Sequence, residues 1–132
     1  MDQKDRVALI AYRMQQAKHM SETAKLLLTN NELATAVNRI YYGMFYALTA
    51  LALQYQFETS KHHQLLGWFN REFISTHKVE MRYGSILRNA FQSRTKGDYD
   101  AFINFDIKEV DYMIKEMEQF ITMVDHLLNE KK

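Results

Sequence analysis

Residues 36–53 read AVNRIYYGMFYALTALAL, and Arg39 is the one charged residue between Leu33 and Phe57. Leu33, Val37, Ile40, Met44, Leu48, Leu51 and Tyr55 recur at steps of three and four and form one apolar stripe of a helix. Ala34, Tyr41, Phe45 and Ala52 form a second. A helix that is apolar on two sides must be covered on two sides, so this segment is expected to be the central helix of a bundle. Arg39 is then a charge set in an apolar surface, and a buried charge is costly unless another group answers it. Candidate partners lie in SRTKGDYD, residues 93–100, which brings Arg94, Lys96, Asp98, Tyr99 and Asp100 close together. Pairing of Arg39 with Asp98 and Tyr99 would lock two helices to each other. A bound anion is the other answer.

Working outward, Val7, Ile10, Met14, Ala17, Ser21, Ala24 and Leu28 mark one stripe of a preceding helix that ends near Thr29. Asn30 or Asn31 is placed to cap the central helix. Thr59 or Ser60 opens a third helix running to about Ile74, with Leu65, Leu66, Trp68, Phe69 and Phe73 as its apolar set. A turn at His77 to Glu80 leads to a shorter helix through Ile86, Leu87, Ala90 and Phe91. In the last segment Asp106 and Glu109 have capping-box spacing. Ile107, Val110, Ile114, Met117, Ile121, Val124 and Leu128 then repeat over three heptads, widened by Met113, Phe120 and Leu127. No alternating run bounded by Gly or Pro suggests a strand. The pattern predicts an all-α, antiparallel four- to five-helix bundle forming a single domain over residues 1–132.

Composition narrows the chemistry. The chain has no cysteine and no proline among 132 residues, which excludes thiolate catalysis, disulfides and cysteine-based zinc sites. The N-terminal MDQKDRVALIAYR lacks the pattern of a secretory signal. The apolar stretch from Ile40 to Leu53 is too short to span a bilayer core of about 30 Å. A cytoplasmic protein without a membrane partner is the expectation. Net charge is only +1, but residues 61–96 hold seven Lys or Arg against Glu72 and Glu80, while residues 98–132 hold nine acids against four bases. A basic middle of this kind suits either a phosphate-facing surface or ordinary solvated helix faces.

Most familiar motifs are missing. His62 and His63 are neighbours, which on a helix point about 100° apart, and no HExxH-type spacing supplies a metal site, so no metal or cofactor is expected. Glycine-rich phosphate loops and GxSxG elbows do not occur. The eight methionines fall mostly within apolar stripes, as packing residues do. Tyr41, Tyr42, Tyr46 and Tyr55 share the central helix, and each phenol that becomes buried needs a hydrogen-bond partner.

Three blocks, in order, carry a resemblance. AVNRIYYGMFYALTALAL resembles the Ala-x-x-Arg-x-Tyr-Tyr-Ala-x-Phe helix of prokaryotic HEPN domains. SKHHQLLGWFNREFI is similar to the family's Lys-x-His helix, here Lys61 and His63 with Phe69 and Phe73, and ILRNAFQSRTKGDYD resembles its Arg-x-x-x-Asp-Tyr helix end. The resemblance implies a helical domain, commonly a homodimer, often paired with a nucleotidyltransferase as toxin and antitoxin. Active members are metal-independent ribonucleases using an Arg and a His brought together across the dimer. Carried over, the Arg falls on Arg94 and the motif Tyr on Tyr99, whereas Asp100 stands where one form of the motif has His. No His occurs between Lys78 and Asp125.

Two functional readings follow. In the first, Arg39, Arg94 and Lys96 with nearby tyrosines such as Tyr42, and with His63 and Asp98, build a site for a nucleotide, an RNA phosphate or a nucleotidyltransferase partner, without cleavage. In the second, Arg94, Tyr99 and Asp100 form a modified catalytic set of a toxin ribonuclease, with Arg94 as the cation for the phosphorane charge. A carboxylate with an ordinary pKa of about 3.9 is a poor acid at neutral pH, so Asp100 could act as a base only. The homodimer expectation also rests on the tyrosine-rich central helix, which carries more apolar surface than one small core covers.

Overall fold

Gln3–Thr29 forms the first helix, α1, in the computed structural model, which describes residues 1–130. Asp2 caps α1 by accepting the Asp5 N–H at 2.8 Å. The helix is stopped by a Schellman motif: Asn31 adopts φ 59°, its N–H bonds to Leu28 O, and the Glu32 N–H reaches back to Leu27 O at 2.8 Å. Asn30 and Asn31 therefore terminate α1 and do not cap the next helix as the sequence suggested. Asn suits the left-handed position because its short polar side chain tolerates it. α2, Leu33–Gln54, ends the same way, with Gln56 at φ 57° and the Phe57 N–H on Ala52 O at 2.9 Å.

α2 packs against every other helix, as its two apolar stripes require. Val37, Ile40, Met44, Leu48 and Leu51 on one side and Tyr41 and Ala52 on the other are buried, whereas Ala34 is exposed. Close approach of α1 depends on small residues. A methyl group on Gly43 would stand 3.3 Å from Met20 Cβ and 3.5 Å from Ala17 O of α1. Buried Ala17, Ser21 and Ala24 line α1, while Val7 at the start of its stripe is exposed.

The third segment is not one α-helix. α3, His62–Phe69, passes into a π-helical turn at Asn70–Ile74, closed by Ser75 N–H to Asn70 O. Trp68, Phe69 and Phe73 are all buried across this junction, with Phe69 and Phe73 stacked at 5.7 Å. α4, Arg82–Tyr99, is longer than its apolar stripe implied. α5, Ile107–Glu130, buries Val110, Met113, Ile114, Met117, Phe120, Ile121, Val124, Leu127 and Leu128 against α1, α2 and α4, although Ile107 is exposed. Among the described residues there is no strand, and no helix is long and apolar enough to cross a membrane.

Candidate functional site

The second stripe of α2 faces α4, and there the polar chemistry collects. On α4 the buried positions Tyr83, Leu87 and Ala90 lead by helical steps to Arg94, which carries the inward face into its last turns. The Arg94 side chain is only 19% exposed. Its Nη2 donates to the Tyr42 hydroxyl at 2.9 Å, and its guanidinium carbon lies 5.4 Å from the Tyr41 ring centre and 5.3 Å from that of Tyr42. Its Nε stands 3.0 Å from Asp98 Oδ2, one helical turn on. That is a close ion pair but not a hydrogen bond, because the Nε–H is aimed off the oxygen and is left buried without an acceptor.

Arg39 approaches the same tyrosine, its guanidinium carbon 5.3 Å from the Tyr42 ring centre. Its Nε donates to Asn38 Oδ1 at 3.0 Å, its Nη2 donates to the same oxygen, and its Nη1 lies 3.5 Å from Met20 Sδ. Asn38 Nδ2 in turn faces both Asp98 oxygens at 3.4 Å. The expected Arg39 pair with Asp98 and Tyr99 is thus corrected: Arg94 takes Asp98, and Arg39 reaches it only through the Asn38 amide. Arg39 is also half-buried, which removes the need for an ion pair that full burial would have imposed.

His62, the first residue of α3, closes the cluster. Its ring stacks on Phe45 at 4.1 Å and its Nδ1 is 2.9 Å from the Tyr41 hydroxyl. Burial, and then the Arg94 charge, lower the His62 pKa below its ordinary 6.5, so the ring is neutral near pH 7. Burial also raises the Tyr41 pKa, opposed by Arg94, which keeps the phenol protonated. A buried O–H without an acceptor is costly, so we assign Tyr41 as donor to Nδ1, which places the imidazole proton on Nε2.

Comparison with known proteins agrees with this arrangement of helices. Residues 10–127 match the family model described as HEPN domain. The chain belongs to the HEPN domain family. It is 37% identical to a UPF0332 protein of Thermotoga maritima over 132 residues, covering 100% of this chain and 98% of that one. It is 30% identical over 118 residues, 89% of this chain and 80% of the relative, to a Methanocaldococcus jannaschii protein named "Putative toxin MJ0142". A second protein of that organism, "Putative toxin MJ0605", is 29% identical over 114 residues, 86% of this chain and 84% of its own length.

Within this HEPN fold, Arg39, Tyr42, Arg94 and Asp98 come together and the other candidates do not. Lys96 and His63 are exposed outside the cluster. Tyr99 is 82% exposed, and Asp100 uses Oδ1 to accept the Phe102 N–H at 2.9 Å, closing the turn after α4. Sequence reasoning chose His63 and missed His62. The signal was available, because His62 lies three, four and seven residues before Leu65, Leu66 and Phe69 and so shares their inward face. Asn38 was missed because a polar residue beside an arginine has no pattern of its own. An open groove of about 920 Å³ lies elsewhere, lined by Tyr83, Gln119, Met123 and His126 among others, and holds none of these groups. Among the described residues no three His, Asp or Glu side chains converge as a metal site would need.

Proposed function

We propose that this HEPN protein is a toxin-associated binding module that holds a phosphate of RNA or of a nucleotide on the face formed by Arg39, Tyr42 and Arg94, without cleaving it. The names of the two Methanocaldococcus jannaschii relatives support the toxin setting. The observation that carries binding over cleavage is the 2.9 Å contact of His62 Nδ1 with the Tyr41 hydroxyl. RNA cleavage through the 2'-hydroxyl needs a proton acceptor and a proton donor near the phosphate. With Tyr41 assigned as the donor, Nδ1 is occupied and the proton of the neutral ring falls on Nε2, so the imidazole offers a hydrogen bond and not a base. A nucleotidyltransferase and a second copy of this chain are the partners that belong with this reading.

A second reading keeps one observation in its favour: His62 supplies, through Tyr41, an imidazole beside the motif arginine that the late helix lacks. Both are tested by incubating purified protein with RNA in EDTA, with Arg94→Ala and His62→Ala alongside, while following RNA binding by anisotropy. Binding without cleavage, lost in Arg94→Ala, is the expected result. Cleavage abolished by His62→Ala would replace the binding module with a ribonuclease. A mass by light scattering equal to one 15.7 kDa chain would remove the dimer.

A further inference from the structure

Asp98 sits where an anionic ligand of Arg94 would sit, yet it fits the place poorly. Its contacts to Asn38 Nδ2 are both 3.4 Å, beyond the usual range for a strong hydrogen bond. The buried Arg94 Nε–H, 3.0 Å from Asp98 Oδ2, still lacks an acceptor. Buried donors are almost always satisfied, so an orphan beside a carboxylate marks a geometry that the carboxylate cannot complete. Arg39 has no carboxylate within ion-pair distance among the described residues, so two guanidiniums share one negative charge. Asp98 is also easy to move. It is the next-to-last residue of α4, follows Gly97, and has a side chain 31% exposed. Helix ends fray readily, and glycine weakens the last turn further.

We infer that Asp98 is an internal stand-in for phosphate: a phosphate ester displaces its carboxylate from Arg94 and takes up the Nε–H and the Asn38 amide that Asp98 satisfies incompletely. This rests on the reading of the cluster as a phosphate site. A phosphate group presents more acceptor oxygens than a carboxylate and can meet donors that diverge, as those of Arg94, Asn38 and Arg39 do. Removing the Asp98 charge should therefore raise affinity, because the ligand no longer competes with a tethered anion.

The test is anisotropy of a fluorescein-labelled single-stranded RNA 12-mer with the full chain, Asp98→Asn, Arg94→Gln and Asp111→Asn. Asp111 pairs with Lys115 on α5 and controls for the change in net charge. The expected result is roughly fivefold tighter binding by Asp98→Asn, the size of a lost competing ion pair, with Asp111→Asn within about twofold of wild type. Binding seen only in Asp98→Asn would support the inference equally. Binding that depends on Arg94 but is unchanged or weaker in Asp98→Asn, or is tightened as much by Asp111→Asn, would overturn the inference and leave the phosphate site standing. No binding by any variant would overturn both. Unlabelled ATP as competitor separates the sources: displacement assigns the site to nucleotide phosphates, and resistance to displacement assigns it to the RNA backbone.

Discussion

α4 carries an arginine near each end, and the two have nearly the same kinds of partner. Arg82 places Nε 3.3 Å from Glu80, donates Nη1 to Gln119 of α5 at 2.6 Å and Nη2 to the Tyr83 hydroxyl at 2.8 Å, and packs 4.4 Å from the Tyr83 ring centre. Arg94 likewise has an acid, a tyrosine hydroxyl and an aromatic ring. The Arg82 side chain is 46% exposed, however, and its Nε, Nη1 and Nη2 all have acceptors, so it clamps α4 to α5 at the surface. Arg94 is largely buried, shares the Tyr42 ring with a second guanidinium and keeps an unanswered N–H. Chemical composition of a cluster does not separate a structural clamp from a candidate binding site. Burial and unmet hydrogen bonding do, because only the latter leave free energy for a ligand to recover.

The comparison breaks most clearly under substitution of the arginines themselves. Arg94→Met should lower stability by about 2 kcal/mol in urea unfolding, because a charge-assisted hydrogen bond is lost and Tyr42 is left unpaired. Arg82→Met should cost about 0.5 kcal/mol, as exposed pairs do. Equal losses would mean that burial does not distinguish the two ends. A smaller contrast is expected from the tyrosines. Tyr42→Phe should cost about 1 kcal/mol, Tyr83→Phe about half of that, and only Tyr42→Phe should weaken RNA binding.

The least effect, and the sharpest in sign, is in pH dependence. Because the folded His62 pKa lies below 6.5, the unfolded chain holds more protons in the window under 6.5. Stability therefore falls as pH drops through that window, until the folded-state value is passed. Glu116 on α5 behaves oppositely: burial raises its pKa above 4.5, with Arg82 opposing, so stability falls as pH rises from 4.5 to its folded value. Thermal melts of His62→Gln and Glu116→Gln across pH 4 to 7.5 should each remove one slope. A His62→Gln profile that matches wild type would remove His62 from the titrating groups of the site.

The failures of sequence reading share a cause. The π-helical turn at Asn70–Ile74 replaces the end of an expected α-helix, and the apolar set Trp68, Phe69 and Phe73 fits a regular helix as well, so the sequence pattern carries no sign of it. Asn30 and Asn31 precede a helix in sequence, yet their geometry belongs to the helix behind them. Arg39 looked like the partner of Asp98 because both stood out by composition, but Arg94 lies one turn before Asp98 on the same helix and reaches it first. Arg94 and Tyr42 were legible as members of a cluster. His62 was legible only by counting back from Leu65 and Phe69.

By itself the sequence determined the all-α bundle and the central place of α2, because apolar periodicity is a property of each segment and burial sums over many residues. Only the tertiary structure decided which polar groups meet. Tyr42 and Arg94, Tyr41 and His62, and Asn38 and Asp98 each lie on different helices, far apart along the chain. A hydrogen bond or ion pair holds over about 1 Å of placement, which is set by how helices stack and not by the order of residues within them.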